Sequence, residues 1–262
     1  MLLAIDVGNT NIGLGLYTGK ELTFSCRLAT WPDRTADELW VVVSQLLAGD
    51  GVRLDDIDGV IMSSVVPPLT ETFVEMVGRG LGHDPLCVNA QNAGLPIRYE
   101  NPDEVGADRL VNGVAARELY GADAHPVVVV DFGTATTFDI ISARGEYLGG
   151  VICPGVEISA DALFQRAARL PRVEVRRPPT LIGRTTVASM QSGLFFGYVA
   201  MVEGLVLRIG ESLHGAGSPV CVATGGLAGA IADETDVIDH VNGDLTLVGL
   251  RLVWERNTEG AV

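Results

Sequence analysis

Apolar residues fill positions 2–7, give way to the turn-prone Gly8-Asn9-Thr10, and resume over 12–17, a pattern that predicts two strands joined by a tight turn. Positions 22–28 predict a third strand. Thr35-Ala36-Asp37-Glu38 then presents a capping-box signature ahead of an apolar stretch over 39–47, so a helix follows. Residues 58–66 read as a strand stopped by Pro67-Pro68, and 70–81 as a helix with Gly82 just past its end. The first half is therefore β-β-β-α-β-α.

The opening pattern returns in the second half. Residues 127–131 form an apolar strand ending in Asp131, which runs into Phe132-Gly133-Thr134-Ala135-Thr136-Thr137 before a return strand over 138–142. Both copies share an apolar strand, Asp, one apolar residue, Gly, a Thr-bearing turn and a return strand. The fold class expected is α/β, with two duplicated lobes over 1–118 and 119–262. Helices are predicted over 161–169 and 186–213, a strand over 219–223 ending at Thr224-Gly225-Gly226, and a terminal helix over 244–256. That last helix is assigned to the second lobe, with packing back on the first left open. Residues 95–106, with Pro96, Tyr99 and Pro102, read as an ordered loop at the junction, and 171–179 as solvated surface.

Composition narrows the partners. In 262 residues, 18 basic side chains face 33 acidic ones, a net charge of −15, which opposes binding to nucleic acid or anionic membranes. The four cysteines, Cys26, Cys87, Cys153 and Cys221, are scattered and show no zinc-ligand spacing, so reduced and mostly buried thiols are expected. The N-terminus lacks the basic and apolar regions of a signal peptide, which predicts a cytoplasmic protein. The longest apolar stretch, 193–209, holds Glu203 and Arg208 and reads as a buried helix, not a membrane span. The 32 glycines exceed the roughly 18 expected from average usage, so the backbone repeatedly needs positive φ or a close approach.

The chemistry concentrates in the two repeated turns. A carboxylate at the end of a buried strand is costly unless it meets donors or a cation, and Asp6 is followed by such a turn. Backbone N–H groups in a turn of this kind cradle phosphate oxygens, while the Asp serves a metal or its water shell. An ordinary Asx-turn is the alternative for one copy alone. Two copies facing each other across a cleft would grip a polyphosphate from both sides. No P-loop or dinucleotide fingerprint occurs, and His83, His125, His214 and His240 receive no role.

Five motifs in order, Asp6-Val7-Gly8-Asn9-Thr10, Glu104-Val105-Gly106-Ala107-Asp108-Arg109, Asp131 to Thr137, Gly149 to Gly155, and Thr224-Gly225-Gly226-Leu227, resemble the motif series of the type III pantothenate kinases. That family is similar to the actin, sugar-kinase and heat-shock-chaperone ATPase superfamily. The resemblance implies two duplicated ribonuclease-H-like α/β domains with an interdomain ATP cleft, and phosphorylation of pantothenate, the first step of coenzyme A biosynthesis. It implies ATP with Mg²⁺ on Asp6, Val7, Gly8, Asn9, Thr10, Asn11, Ile12, Gly13 and Thr134. It also implies pantothenate on Tyr99, Gly106, Ala107, Asp108, Arg109 and Thr186. Asp108 is implied as the general base, and Asp131 as the ligand of a monovalent cation, K⁺ or NH₄⁺. Plain alternatives stand beside these: a first-turn helix carboxylate for Asp108, a structural twin of Asp6 for Asp131, and a helix cap at Thr185 or Thr186. Because a base must not be weakened by a neighbouring cation, Arg109 is expected to point at substrate and not pair closely with Asp108. A homodimer is expected, with the small residues Gly193, Gly197 and Ala200 allowing close packing; intrachain core packing explains the same helix. The rival readings are a non-catalytic regulator of the accessory transcription factor kind, and a kinase for another small alcohol.

Overall fold

The computed structural model describes residues 1–121, 125–213 and 217–258, so His214 lies outside the described residues. The chain divides into two compact units, residues 1–115 with 245–262, and residues 116–244. In the first, β1 (Leu2–Val7) is the central strand of a five-stranded sheet. It pairs antiparallel with β2 (Asn11–Thr18), which pairs with β3 (Glu21–Ala29). On its other side it runs parallel to β4 (Gly59–Ser64), which pairs with β5 (Leu86–Cys87).

Alternation along β1 decides what each face meets. Leu3, Ile5 and Val7 face the helices α1 (Ala36–Gly49) and α2 (Pro67–Leu81), joining Leu39, Val43, Phe73 and Val77 in one core. Thr35 caps α1 in a full capping box with Glu38, as the sequence predicts. Pro67 and Pro68 do not precede α2 but open it, because a first-turn proline forgoes no helical hydrogen bond. α7 (Leu245–Thr258) packs on β1, β2 and β4, completing this unit.

Small residues make that packing possible. A Cβ on Gly59 would fall 2.3 Å from the Trp254 ring, and one on Gly249 would fall 2.1 Å from the carbonyl oxygen of Val111 in α3 (Ala107–Tyr120). The terminal helix therefore belongs to the first unit and not to the second, which corrects its assignment to a lobe spanning 119–262. The cause is its apolar face, with Leu245, Leu250 and Val253 fully buried, which needs the glycine-lined surface of the first sheet.

The second unit repeats the plan. β6 (Val127–Phe132) is central, antiparallel to β7 (Ala135–Ile141), which pairs with β8 (Tyr147–Pro154). It is parallel to β9 (Val220–Gly225), which pairs with β10 (His240–Val241). Both sheets have the mixed five-stranded order of a ribonuclease-H-like fold, and the fold is α/β with a duplicated domain. α4 (Val156–Arg166), α5 (Thr186–Ser212) and α6 (Ala228–Ala232) complete the unit, and Phe138, Val130, Phe195, Val202 and Ala223 share its core. Val173 and Val175 are buried in that core while Arg172, Arg176 and Arg177 stay exposed, so 171–179 is anchored and not merely solvated.

Among the described residues α5 is the one helix long and apolar enough to cross a membrane, but Met190, Leu194, Phe195, Tyr198, Val202, Val206 and Ile209 form a buried stripe on the second core. The four cysteines are free, and only Cys221 is fully buried, its thiol pushed up to about 12 by that burial with help from Asp239. Gly249→Ala is expected to overpack the α3–α7 contact at about 1–3 kcal/mol and to lower Tm by several degrees. Gly49→Ala, at an open site on α1, should leave Tm unchanged or raised in the same thermal melts.

Candidate functional site

In the first unit the strand register builds the site. Asp6 lies opposite Gly13 on β2 and beside Ser63 on β4. It is half-buried, and its Oδ1 accepts a 2.7 Å hydrogen bond from the Ser63 hydroxyl. Val7 and Ile12 turn fully into the core, so only their backbones border the turn. Asn9, Thr10 and Asn11 are exposed. Gly8 donates its N–H to the Asn11 carbonyl at 3.0 Å, and a Cβ there would meet that oxygen at 2.9 Å. Thr30 straps the turn from outside: its hydroxyl donates to the Gly8 carbonyl at 2.6 Å and its N–H to the Thr10 carbonyl at 2.9 Å. With carbonyls drawn to Thr30, the turn is set as a cradle of donors.

The second predicted segment comes in beside β4. Val65, just past that strand, donates its N–H to the Val7 carbonyl at 3.0 Å, and a Cβ on Gly106 would lie 3.4 Å from the Val65 side chain. The same Cβ would fall 2.5 Å from Asp108 Oδ1, so only glycine leaves room for that carboxylate to fold back on the helix start. Asp108 sits in the first turn of α3, and its Oδ1 accepts the Arg109 backbone N–H at 2.8 Å. Ala107 is buried and Tyr99 half-buried.

Two opposing effects act on Asp108. Burial raises its pKa; the Arg109 N–H, the Arg109 charge and its own backbone N–H pull it down, and burial wins. Arg109 is itself buried, at 9 % exposure, and its charge acts on Asp108 in the same direction as the backbone donors. The carboxylate nevertheless remains a better base than an ordinary aspartate.

The second unit carries its own version. Asp131, half-buried, lies opposite Thr137 and beside Thr224 in the same register that Asp6 occupies in the first sheet. Its turn is one residue shorter, with Gly133 donating to the Ala135 carbonyl at 3.1 Å and Thr134 exposed. A Cβ on Gly225, whose φ is +90°, would fall 2.5 Å from the Phe132 carbonyl and 2.8 Å from Asp131 Oδ1. Two hard oxygens thus converge beside a glycine, a donor set that suits an alkali cation more than a transition metal. Among the described residues no three His, Cys, Asp or Glu side chains cluster for a metal.

Thr185, not Thr186, caps α5, accepting from the Ala188 N–H at 3.2 Å. Thr186 is exposed in an open groove of about 840 Å³ that Leu163, Leu170, Arg184, Met190 and Leu194 also line. Two structural partners escaped the sequence reading, Ser63 and Thr30. Neither belongs to a glycine-rich turn; only their positions on strands that flank the first turn give them away.

Replacing Asp108 by Asn separates function from stability. Because burial holds the folded pKa above the ordinary 3.8, the fold binds an extra proton between those values. Stability therefore falls as pH rises through that window and the loss persists at neutral pH. Asp108→Asn removes the cost, so its Tm at pH 7 should equal or exceed that of the parent, with the difference shrinking toward acid. A clearly lower Tm at pH 7 would contradict the assignment.

Comparison with known proteins gives the family of the chain. The family model for type III pantothenate kinase matches residues 2–208. A type III pantothenate kinase of Moorella thermoacetica is 55% identical over 259 residues, covering 98% of this chain and 100% of the relative. A solved structure from Campylobacter jejuni, described as a conserved Baf family transcriptional activator, matches with TM-score 0.60 at 20% identity over 98% of this chain and 99% of that one. The inorganic polyphosphate/ATP-glucomannokinase of Arthrobacter sp. strain KM matches with TM-score 0.53 at 18% identity, covering 97% and 98%. The two structures share the fold alone, whereas the family match takes in the motifs around Asp6, Asp108 and Asp131, and on it this chain belongs to the type III pantothenate kinase family.

Proposed function

We propose that this chain transfers the γ-phosphoryl group of ATP to the primary hydroxyl of pantothenate, giving 4'-phosphopantothenate and ADP, the first step of coenzyme A biosynthesis. The observation that carries the reading is Asp108: a carboxylate in the first turn of α3, raised in pKa by burial and folded back on Gly106, which approaches Val65 at the end of β4, the parallel neighbour of the strand that holds Asp6. Asp108 accepts the hydroxyl proton as the new O–P bond forms and the bond from phosphorus to the β–γ bridging oxygen breaks. Tyr99, Gly106, Ala107 and Arg109 border the substrate in this reading, with Thr186 of a second copy of the chain as a further contact. Residues 6–13 and Thr134 receive ATP. Gly8 N–H is committed to Asn11, so phosphate contacts fall to the exposed Asn9, Thr10 and Asn11.

Asp6 is the group that would hold Mg²⁺ through its water shell, and Asp131 with the Phe132 carbonyl would hold K⁺ or NH₄⁺. When bound, these ions neutralise charge on the phosphates. A homodimer is part of the same reading. A Cβ on Gly193 or Gly197 would meet nothing within 4 Å beyond its own helix, and Ala200 and Leu207 continue the exposed face of α5. Such a stripe suits close packing against a second copy of the helix.

ATP consumption measured with and without pantothenate, in potassium and in sodium buffers, tests the substrate and the cation together. Turnover should require pantothenate and fall when sodium replaces potassium; ATP consumption indifferent to pantothenate would favour a kinase for another alcohol, and none at all the regulator. Asp108→Asn should lower turnover by about 10²–10⁴-fold while ATP binding persists. The acid limb of the parent's pH–rate profile should lie above the usual aspartate range, since the base must be ionised to act. Gly197→Glu should shift the species seen by light scattering from dimer to monomer; an unchanged mass, or a parent that is already monomeric, would remove the dimer.

A further inference from the structure

We propose that Ser63 is a positioning residue for Asp6, fixing the plane of its carboxylate toward the phosphate-bearing turn. The inference rests on the reading of Asp6 as the carboxylate that serves Mg²⁺. Ser63 is completely buried, so its hydroxyl has no water to turn to, and it donates at 2.7 Å to Asp6 Oδ1. The two residues are paired in register on parallel strands, which fixes the separation of their backbones. A carboxylate that rotates about its last bond presents a metal's water shell with a moving target; one tied through a buried donor does not. The second unit supplies an independent parallel: Thr224, 3 % exposed, holds the same register beside Asp131. A hydroxyl next to the strand-end aspartate is thus a property of both repeats.

Ser64 offers the control. Its hydroxyl accepts from the Thr70 hydroxyl at 2.7 Å and from the Val66 N–H at 3.3 Å, bracing the start of α2. Ser64→Ala removes a neighbouring hydroxyl without touching Asp6.

The experiment is calorimetric titration of the full chain with ATP at a series of Mg²⁺ concentrations, together with thermal melts and turnover. Ser63→Ala should raise the Mg²⁺ concentration for half-maximal ATP binding by about 10–100-fold and lower kcat, with Tm changed by only a few degrees. Ser63→Thr should restore the parent's Mg²⁺ requirement, and Ser64→Ala should not shift it. Combined with Asp6→Asn, Ser63→Ala should add nothing further. An unaltered Mg²⁺ requirement in Ser63→Ala, or an equal shift in Ser64→Ala, would overturn the proposal. Should Ser63→Ala fail to fold, Ser63→Cys, similar in volume but a poor donor, makes the same comparison. A parent that binds Mg²⁺ and ATP without phosphorylating pantothenate would strike the substrate reading alone, whereas a parent that binds neither would strike both.

Discussion

The constraint on which the molecule turns is the placing of a carboxylate at the end of a central strand that is otherwise buried. A charge there is costly to desolvate unless partners are built in. Strand pairing supplies them. Parallel β4 brings Ser63 alongside Asp6, and antiparallel β2 brings Gly13, which has no side chain to crowd it. The same sheet order in the second unit brings Thr224 and Thr137 alongside Asp131. The fold does not merely carry these aspartates; its register is what makes them tolerable.

Asp108 illustrates the opposite use of the same physics. Its carboxylate is left under-compensated, so burial outweighs the Arg109 charge and the backbone donors. An aspartate stabilised further would be easier to bury and worse at accepting a proton. Gly106 makes the arrangement possible, because any Cβ at that position would occupy the space taken by Asp108 Oδ1. Local stability is given up where basicity is gained, a trade familiar at functional sites.

Much of this was legible in the chain. Apolar runs ending in Asp and Gly located both central strands and both hairpins, and the capping box placed α1. The strands β5 and β10, each of two residues, and the five-residue α6 were not readable, since so few positions carry no period and only the neighbouring strand or core defines them. The fourth helix begins at Val156 where the sequence suggested 161, because Gly155 is held against the Thr134 carbonyl and the helix starts as soon as that contact is made. The affiliation of α7 was unreadable for a different reason. Its complement is the pair of glycines at 15 and 59, with its own Gly249 admitting α3, and a glycine in sequence does not announce what fills the space beside it. Likewise the sequence places Arg109 next to Asp108, but the balance between its charge and the desolvation of the carboxylate is a tertiary quantity that spacing does not contain.

Duplication explains why the two hairpins look alike, yet their differences are where the argument for distinct roles lies. The first turn is a residue longer and strapped by Thr30 through two hydrogen bonds to its carbonyls. The second is shorter, and Gly225 opens a space where the Phe132 carbonyl meets the Asp131 carboxylate. A cradle of amides attracts anions; converging carbonyl and carboxylate oxygens attract cations. From one strand-turn-strand plan, the shift of a single residue in the turn is enough to leave an exposed Asn-Thr-Asn segment in one copy and a compact turn closed by the Gly133 N–H in the other.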